Sequence, residues 1–344
     1  MKAIVASRFG QPTEVLKLKT LPDPPPPGPG EVVVRVTKRQ LHPGNLAMIR
    51  GRFNIPLPAG GLIPGGDGVG IVEAVGEEVA SSQGVKLGAR VIFNPSPGAW
   101  AERLKTRAEL VTPIPDDLSD AIAAQLLPNT VIALLLLRAA QRAVPDAGRD
   151  TPILLTAAGS SVARILTIAA RRRELKVIGA VRSAAGAKAL SERISDFTVV
   201  STADRDWVDQ VRRAAGERPL QVIMDPIGGA MVGELVRLLG DGGALLFYGG
   251  LAPEPITFPS IGLAQGEIMF KGVSSSRWLQ TTSAQQRRED VREAIEIGRA
   301  APEQFEVDAD YDLPRFADAI EHIERNGRKG AVLMSSTSPA ATED

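Results

Sequence analysis

The sequence predicts an α/β protein organised around a doubly wound parallel sheet, with a β-rich domain ahead of it. Three observations carry this reading. Between Thr151 and Gly250, short apolar runs alternate with stretches of helical periodicity, the signature of βαβ units. Before about residue 120 the apolar runs are broken repeatedly by glycine and proline, as in a β-rich domain. At Ser119 the texture changes to an Ala/Leu-rich stretch.

In the first domain, Met1–Ser7 and Glu31–Thr37 are strand candidates. The proline run Leu21–Gly30 between them is a stiff surface connection or a recognition ligand for another protein. Leu41–Phe53 reads as a turn followed by a short helix. Ile63–Gly76 alternates glycine with apolar residues and reads as a strand pair with tight turns. Gly66 and Gly68 give it the look of a dinucleotide loop, but no strand, turn and helix surround them. Arg90–Phe93 and Gly98–Glu102 close the domain.

The Ala121–Arg142 stretch is a helix interrupted by Pro128. Its apolar run, Val131–Leu137, is too short to span a bilayer. Next, Ile153–Leu155 predicts a buried strand, and Ala157–Ser161 a turn of small residues only. Val162, Ile165, Leu166 and Ala169 then recur at helical spacing, with Ser160 or Ser161 as the cap. Val177–Val181 is the following strand. Together these form either a nucleotide-binding half-unit or a plain crossover. In the first case the free N–H groups of Ser160, Ser161 and Val162 meet a phosphate. The second strand ends in Arg182-Ser183, with Lys188 and Arg193 beyond. Arginine at that point suits a 2′-phosphate, and so NADPH over NADH; the alternative is a solvated basic loop. Val222–Asp225, Gly243–Tyr248 and Met269–Ser274 are further strands, and Ala230–Leu239, Glu289–Ala300 and Pro314–Asn326 are helices. Ala331–Met334 is a closing strand, and Ser335–Asp344 a polar, loose tail.

Composition narrows the function. The 344 residues suffice for two domains with cores, and a 44% hydrophobic content excludes a disordered chain. Zero net charge argues against nucleic acid or an anionic membrane as partner. The chain has no cysteine, which excludes disulfides, thiolate nucleophiles and Cys-ligated zinc. The N-terminus lacks the apolar core of a signal peptide, and a cytoplasmic protein is expected.

Several stretches give the chain a family resemblance. They are LPDPPPPGPGEVVVRV (Leu21–Val36), GGDGVGIVEAVG (Gly65–Gly76), GAWAE (Gly98–Glu102) and AIEHIERNGRKGAVLM (Ala319–Met334). On these the sequence resembles the medium-chain dehydrogenase/reductase superfamily. Thr156–Arg164, Met224–Leu251 and Met269–Leu279 resemble its zinc-free quinone reductase and 2-enoyl thioester reductase branch. The resemblance implies a GroES-like, partly open β-barrel substrate domain over 1–120 and a Rossmann NADP-binding domain over 121–265. Residues 266–344 then return to the first domain. The implied activity is NADPH-dependent reduction of an activated C=C or a quinone, in a homodimer joined near Met269–Ser274, with the site in the interdomain cleft. A true trans-2-enoyl thioester reductase and an NADPH-binding regulatory protein are the alternatives.

The resemblance also assigns residues. The superfamily's zinc positions match His42, Gly66-Asp67 and the neighbourhood of Asn129; one His and one Asp do not complete a tetrahedron, so no metal is expected. The proton-donating tyrosine of enoyl reductases is replaced by Phe53, which has no hydroxyl. Asn45 and Asn129 are the remaining polar catalytic candidates, with Asn129 also placed near the nicotinamide; Arg50 is a functional or a surface charge. Tyr248, Gly249 and Gly250, then Ser274 and Trp278, and finally Lys329 join Ser160, Ser161, Val162 and Arg182 as cofactor contacts. His42 is a base or a turn histidine, and His322 is a solvated one. Trp100 and Trp278 line the pocket or pack in a core.

Overall fold

The chain is described from a computed structural model, which covers residues 1–79, 84–216, 218–258, 260–325 and 327–336. The expected loose tail thus lies outside the described residues from 337 onward. The strands are β1 (Lys2–Ala6), β2 (Leu16–Thr20), β3 (Glu31–Leu41), β4 (Gly68–Val75), β5 (Arg90–Phe93), β6 (Arg103–Arg107), β7 (Val111–Pro113) and β8 (Ile153–Leu155). They continue with β9 (Val177–Val181), β10 (Thr198–Ser201), β11 (Leu220–Asp225), β12 (Leu239–Phe247), β13 (Met269–Gly272), β14 (Val307–Asp312) and β15 (Ala331–Ser335). The α-helices are α1 (Pro12–Val15), α2 (Pro43–Ile49), α3 (Asp120–Ala143), α4 (Ser161–Arg171), α5 (Ala184–Arg193) and α6 (Trp207–Ala215). After them come α7 (Val232–Val236), α8 (Ser260–Gly266), α9 (Trp278–Thr281), α10 (Ala284–Ala300) and α11 (Phe316–Glu324).

Two compact units divide the chain: Met1–Pro128 with Val291–Asp344, and Asn129–Asp290. The divisions differ from the expected 120 and 265. Residues 266–290 join the second unit because β13 pairs in parallel with β12 and extends its sheet.

The first unit holds a seven-stranded sheet in the order β14-β15-β3-β4-β5-β7, with β6 also paired to β3, and a separate β1-β2 pair. Its C-terminal strand β15 pairs antiparallel with β3, so both ends of the chain share one core. That core joins Ile4, Leu41, Ile49 and Trp100 to Ile320, Val332 and Met334. Each such apolar side chain contributes roughly 1.5–3 kcal/mol by leaving water. One buried cation serves this seam. Arg39 is fully buried; its Nε donates to the Ala99 carbonyl at 2.9 Å and its Nη2 to the Ala101 carbonyl at 2.8 Å. Burial pushes its pKa down to about 9, which leaves it charged at neutral pH.

The expected strand pair over Ile63–Gly76 is a single strand, β4, whose partners are β3 and β5. Residues 63–67 are irregular, because long-range pairing rather than a local hairpin satisfies the β4 backbone. Gly98–Glu102 contributes one isolated bridge, Ala101 to Ala3, and the strand follows it as β6.

The second unit is a six-stranded, all-parallel sheet in the order β10-β9-β8-β11-β12-β13. This is the doubly wound order, and its switch point falls between β8 and β11. The helix α3 continues through Pro128 rather than breaking there. Its most apolar 18-residue window has the length and composition to cross a bilayer, contrary to the reading of the short run alone, but 72% of that window is buried inside the protein. The predicted helix Ala230–Leu239 shrinks to a 3₁₀ turn and α7, since Leu239 already belongs to β12.

Candidate active site

The carboxyl ends of β8 and β11 flank the switch point, where doubly wound sheets bind ligands. Each apolar strand there ends in a buried polar residue, Thr156 after β8 and Asp225 closing β11. The Thr156 hydroxyl donates to Asp225 Oδ1, and the Gly228 N–H donates to Asp225 Oδ2 at 2.6 Å. Burial pushes the Asp225 carboxyl above its ordinary pKa, and the bonds from Thr156 and Gly228 pull it partly back.

The turn after Thr156 leads into α4. Ala157 adopts φ of 46°, a left-handed conformation unusual for a residue with a Cβ. Ser160 is the helix cap: its Oγ accepts the Ala163 N–H at 3.3 Å. Ser161 and Val162 follow as the first two helical residues, where N–H groups lack intrahelical partners. A side chain at Gly159 would meet nothing within 4 Å, so the turn has room beside it.

Tyr248 follows β12, and its phenol hydrogen-bonds Ser160. Burial pushes that phenol well above the usual tyrosine range; the Ser160 bond opposes the shift and the Asp225 charge adds to it. The Tyr248 N–H also donates to the Asp225 carbonyl at 3.1 Å. Gly249 is required by close approach: a Cβ there would lie 2.6 Å from the Pro226 carbonyl oxygen. Ser160, Tyr248 and Gly249 therefore form one constellation around Asp225. Arg182 is exposed directly past the end of β9, the strand next to β8.

The remaining sequence candidates sit on other elements. Ser274 is exposed past the edge strand β13, where its Oγ caps a 3₁₀ turn by accepting the Ser276 N–H. Trp278 is 3% exposed, and its Nε1 donates to Asp290 Oδ2 at 2.7 Å, so its indole packs in a core. Asn129 is buried in α3. Lys329 is exposed in the first unit.

In the first unit, Asn45 is buried, and its Oδ1 accepts the His42 N–H at 3.0 Å at the start of α2. His42 Nε2 lies 3.3 Å from Asp67 Oδ2. Phe53 is 47% exposed in an irregular segment. Arg50 pairs with Glu324. Trp100 is fully buried, a packing residue. His322 is not the solvated residue expected. Its Nδ1 contacts the Tyr311 hydroxyl at 2.8 Å and its Nε2 the Asp308 carboxylate at 2.9 Å.

The donor set does not fit a zinc tetrahedron: among the described residues no three His, Cys, Asp or Glu side chains converge on one point. The residues do fit a dinucleotide phosphate, given the capped helix start, the small-residue turn and the arginine past β9. Thr156 and Asp225 escaped the reading of the sequence as site residues. The available signal was a lone polar residue closing each of two apolar strands.

Comparison with known proteins agrees with this architecture. Residues 28–116 match the alcohol dehydrogenase GroES-like domain family, and residues 162–297 match the zinc-binding dehydrogenase family. The chain is 28% identical over 293 residues to the mitochondrial enoyl-[acyl-carrier-protein] reductase of Mus musculus, covering 84% of this chain and 76% of that one. A solved Bacillus thuringiensis structure, provisionally described as an NADPH:quinone reductase, superposes with a TM-score of 0.85 at 26% identity, covering 98% and 99% of the two chains. A mycobacterial protein solved in complex with NADPH has a TM-score of 0.83 at 25% identity, covering 97% and 100%.

Proposed function

Because this chain belongs to the medium-chain dehydrogenase/reductase superfamily, we propose that it is an NADPH-dependent reductase of an activated C=C bond, in an enone or enoyl thioester, or of a quinone. The observation that carries the proposal is the Ser160–Tyr248–Asp225 constellation at the switch point of the parallel sheet. The start of α4 receives the pyrophosphate, and Arg182 the 2′-phosphate. Tyr248 and Gly249 shape the wall at the carboxyl end of β12, beside the nicotinamide. Ser274 is an outer contact in this reading, Asn129 borders the nicotinamide, and Trp278 acts only by holding its segment in place. When bound, the reduced nicotinamide supplies a hydride. In this zinc-independent reading the rest of the chemistry falls to side chains and solvent.

Titration with both reduced nicotinamides tests the cofactor half of the proposal. NADPH binds more tightly than NADH, and NADPH oxidation appears with an alkenal, a 2-enoyl-CoA or an ortho-naphthoquinone. Tight binding with no turnover on any of them would instead favour an NADPH-binding regulatory protein.

True enoyl thioester reduction is the second reading, supported by the extended match to an enoyl reductase. Phe53 bears on it, because it stands where that branch has a phenol. On this reading Phe53→Tyr raises enoyl-CoA turnover, and an unchanged rate counts against it. A cytoplasmic homodimer completes the proposal. It is supported by the absence of cysteine and by the unpaired edge of β13, with Met269 exposed on it.

A further inference from the structure

We infer that Tyr311 is a nucleophilic phenol, a modification site for activated esters, with His322 as its base and Asp308 as the residue that positions that base. All three belong to the first unit, and the inference does not depend on the reductase reading. His322 Nδ1 lies 2.8 Å from the Tyr311 hydroxyl, and its Nε2 lies 2.9 Å from Asp308 Oδ2. A carboxylate only accepts, so Nε2 carries the ring hydrogen. The neutral imidazole then presents Nδ1 as an acceptor, and the phenol donates to it. Hydroxyl, imidazole and carboxylate thus stand in the order that activates a hydroxyl for attack.

The strand gives up regularity to bring these groups together. Asp308 and Tyr311 both lie on β14, where strict alternation would send them to opposite faces. The register of β14 against β15 shifts between Val307 and Ala309, at Asp308. Irregularities of this kind on edge strands re-aim a side chain, and β14 is the edge of its sheet. As a result both side chains reach one imidazole, which α11 supplies.

Access and charge favour attack by this phenol. The His322 side chain is 15% exposed and that of Asp308 25%, so the base is shielded, while Tyr311 is only half-buried. The Arg315 guanidinium lies 5.2 Å from the centre of the Tyr311 ring. Its charge favours the negative charge that develops on the phenol oxygen as the proton leaves. The chain has one other tyrosine, Tyr248, whose phenol is buried and held by Ser160.

In the step itself the Tyr311 oxygen attacks the acyl carbon, and its proton passes to His322 Nδ1. The bond to the leaving group breaks, and that group departs with the electron pair. An O-acyl tyrosine remains. Asp308 faces the imidazolium until Nδ1 gives its proton to solvent.

The test uses p-nitrophenyl acetate and the full chain. The wild type releases nitrophenolate in a burst of one per chain, and peptide mass mapping finds the acetyl group on Tyr311 and not on Tyr248. Tyr311→Phe keeps the ring and removes the burst. His322→Gln slows acetylation of Tyr311 about a hundredfold, the scale of a lost general base. Asp308→Asn slows it less, and Asp308→Glu restores it. Thermal melting shows whether each variant is folded; if His322→Gln is not, the Asp308 pair carries the comparison. Acetyl groups on lysines alone overturn the assignment. So does an unchanged rate at Tyr311 in folded His322→Gln or Asp308→Asn.

Discussion

The Thr156 hydroxyl donates to the Asp225 carboxylate across two neighbouring parallel strands, β8 and β11. The register Met224 to Leu155 brings the two residues level at the carboxyl ends of their strands. One bond therefore closes the sheet at its switch point, and the same carboxylate holds the Gly228 N–H of the turn that follows β11. Tyr248 and the backbone around Pro226 are built on that turn.

Asp225→Asn tests the electrostatics of this arrangement. Burial raises the Asp225 pKa in the folded state, so the folded protein holds this proton more tightly than the unfolded chain. The stabilising contribution of the group is complete below its unfolded value and is lost as pH rises through the folded one. The variant does not titrate there. Its Tm relative to wild type therefore improves as pH rises above the ordinary carboxylate range. A difference independent of pH shows that Asp225 has an ordinary pKa.

Arg182→Ser removes the charge assigned to the 2′-phosphate. A charge-assisted hydrogen bond contributes about 1.5–3 kcal/mol, so the Kd for NADPH rises roughly tenfold or more while that for NADH is unaffected. Fluorescence titration with the two nucleotides reads this directly. Equal weakening of both contradicts the assignment.

Asp290→Ala probes a structural anchor rather than the site. Asp290 is 1% exposed; it accepts from Arg138 at 2.5 and 2.9 Å and from Trp278 Nε1 at 2.7 Å. Removing the carboxylate strands the Arg138 cation, a loss of about 3–5 kcal/mol, and lowers Tm by about 10 °C. Thermal melting checks this. A Tm within a degree or so of wild type shows the cluster to be dispensable.

Met269→Lys addresses the dimer. The strand β13 is the edge of the six-stranded sheet, and lysine on an edge strand discourages pairing. Size exclusion with light scattering shows a dimer for wild type and a monomer for the variant. A monomeric wild type disposes of the dimer directly.

The sequence made the second unit legible because βαβ units are local. Ile153–Leu155, the small-residue turn and the periodicity through Ala169 lie within one short stretch, and the structure reproduces each of them with Ser160 as the cap. The first unit was harder to read. The partners of β4 are β3 and β5, and β15 reaches β3 from the far end of the chain. No short window of sequence carries such pairings. His322 was misjudged for the same reason: its partners, Tyr311 and Asp308, give no sign in the sequence that they are partners.

By itself, then, the sequence determined the class of the protein, the alternation of strand and helix, the capped turn before α4 and the arginine after β9. These follow from periodicity and from side-chain chemistry at adjacent positions. Only the tertiary structure decided which polar groups meet: Thr156 with Asp225, Tyr248 with Ser160, His42 with Asp67. Such pairs form between residues 25 to 88 positions apart, where contact depends on strand order and register rather than on local preference.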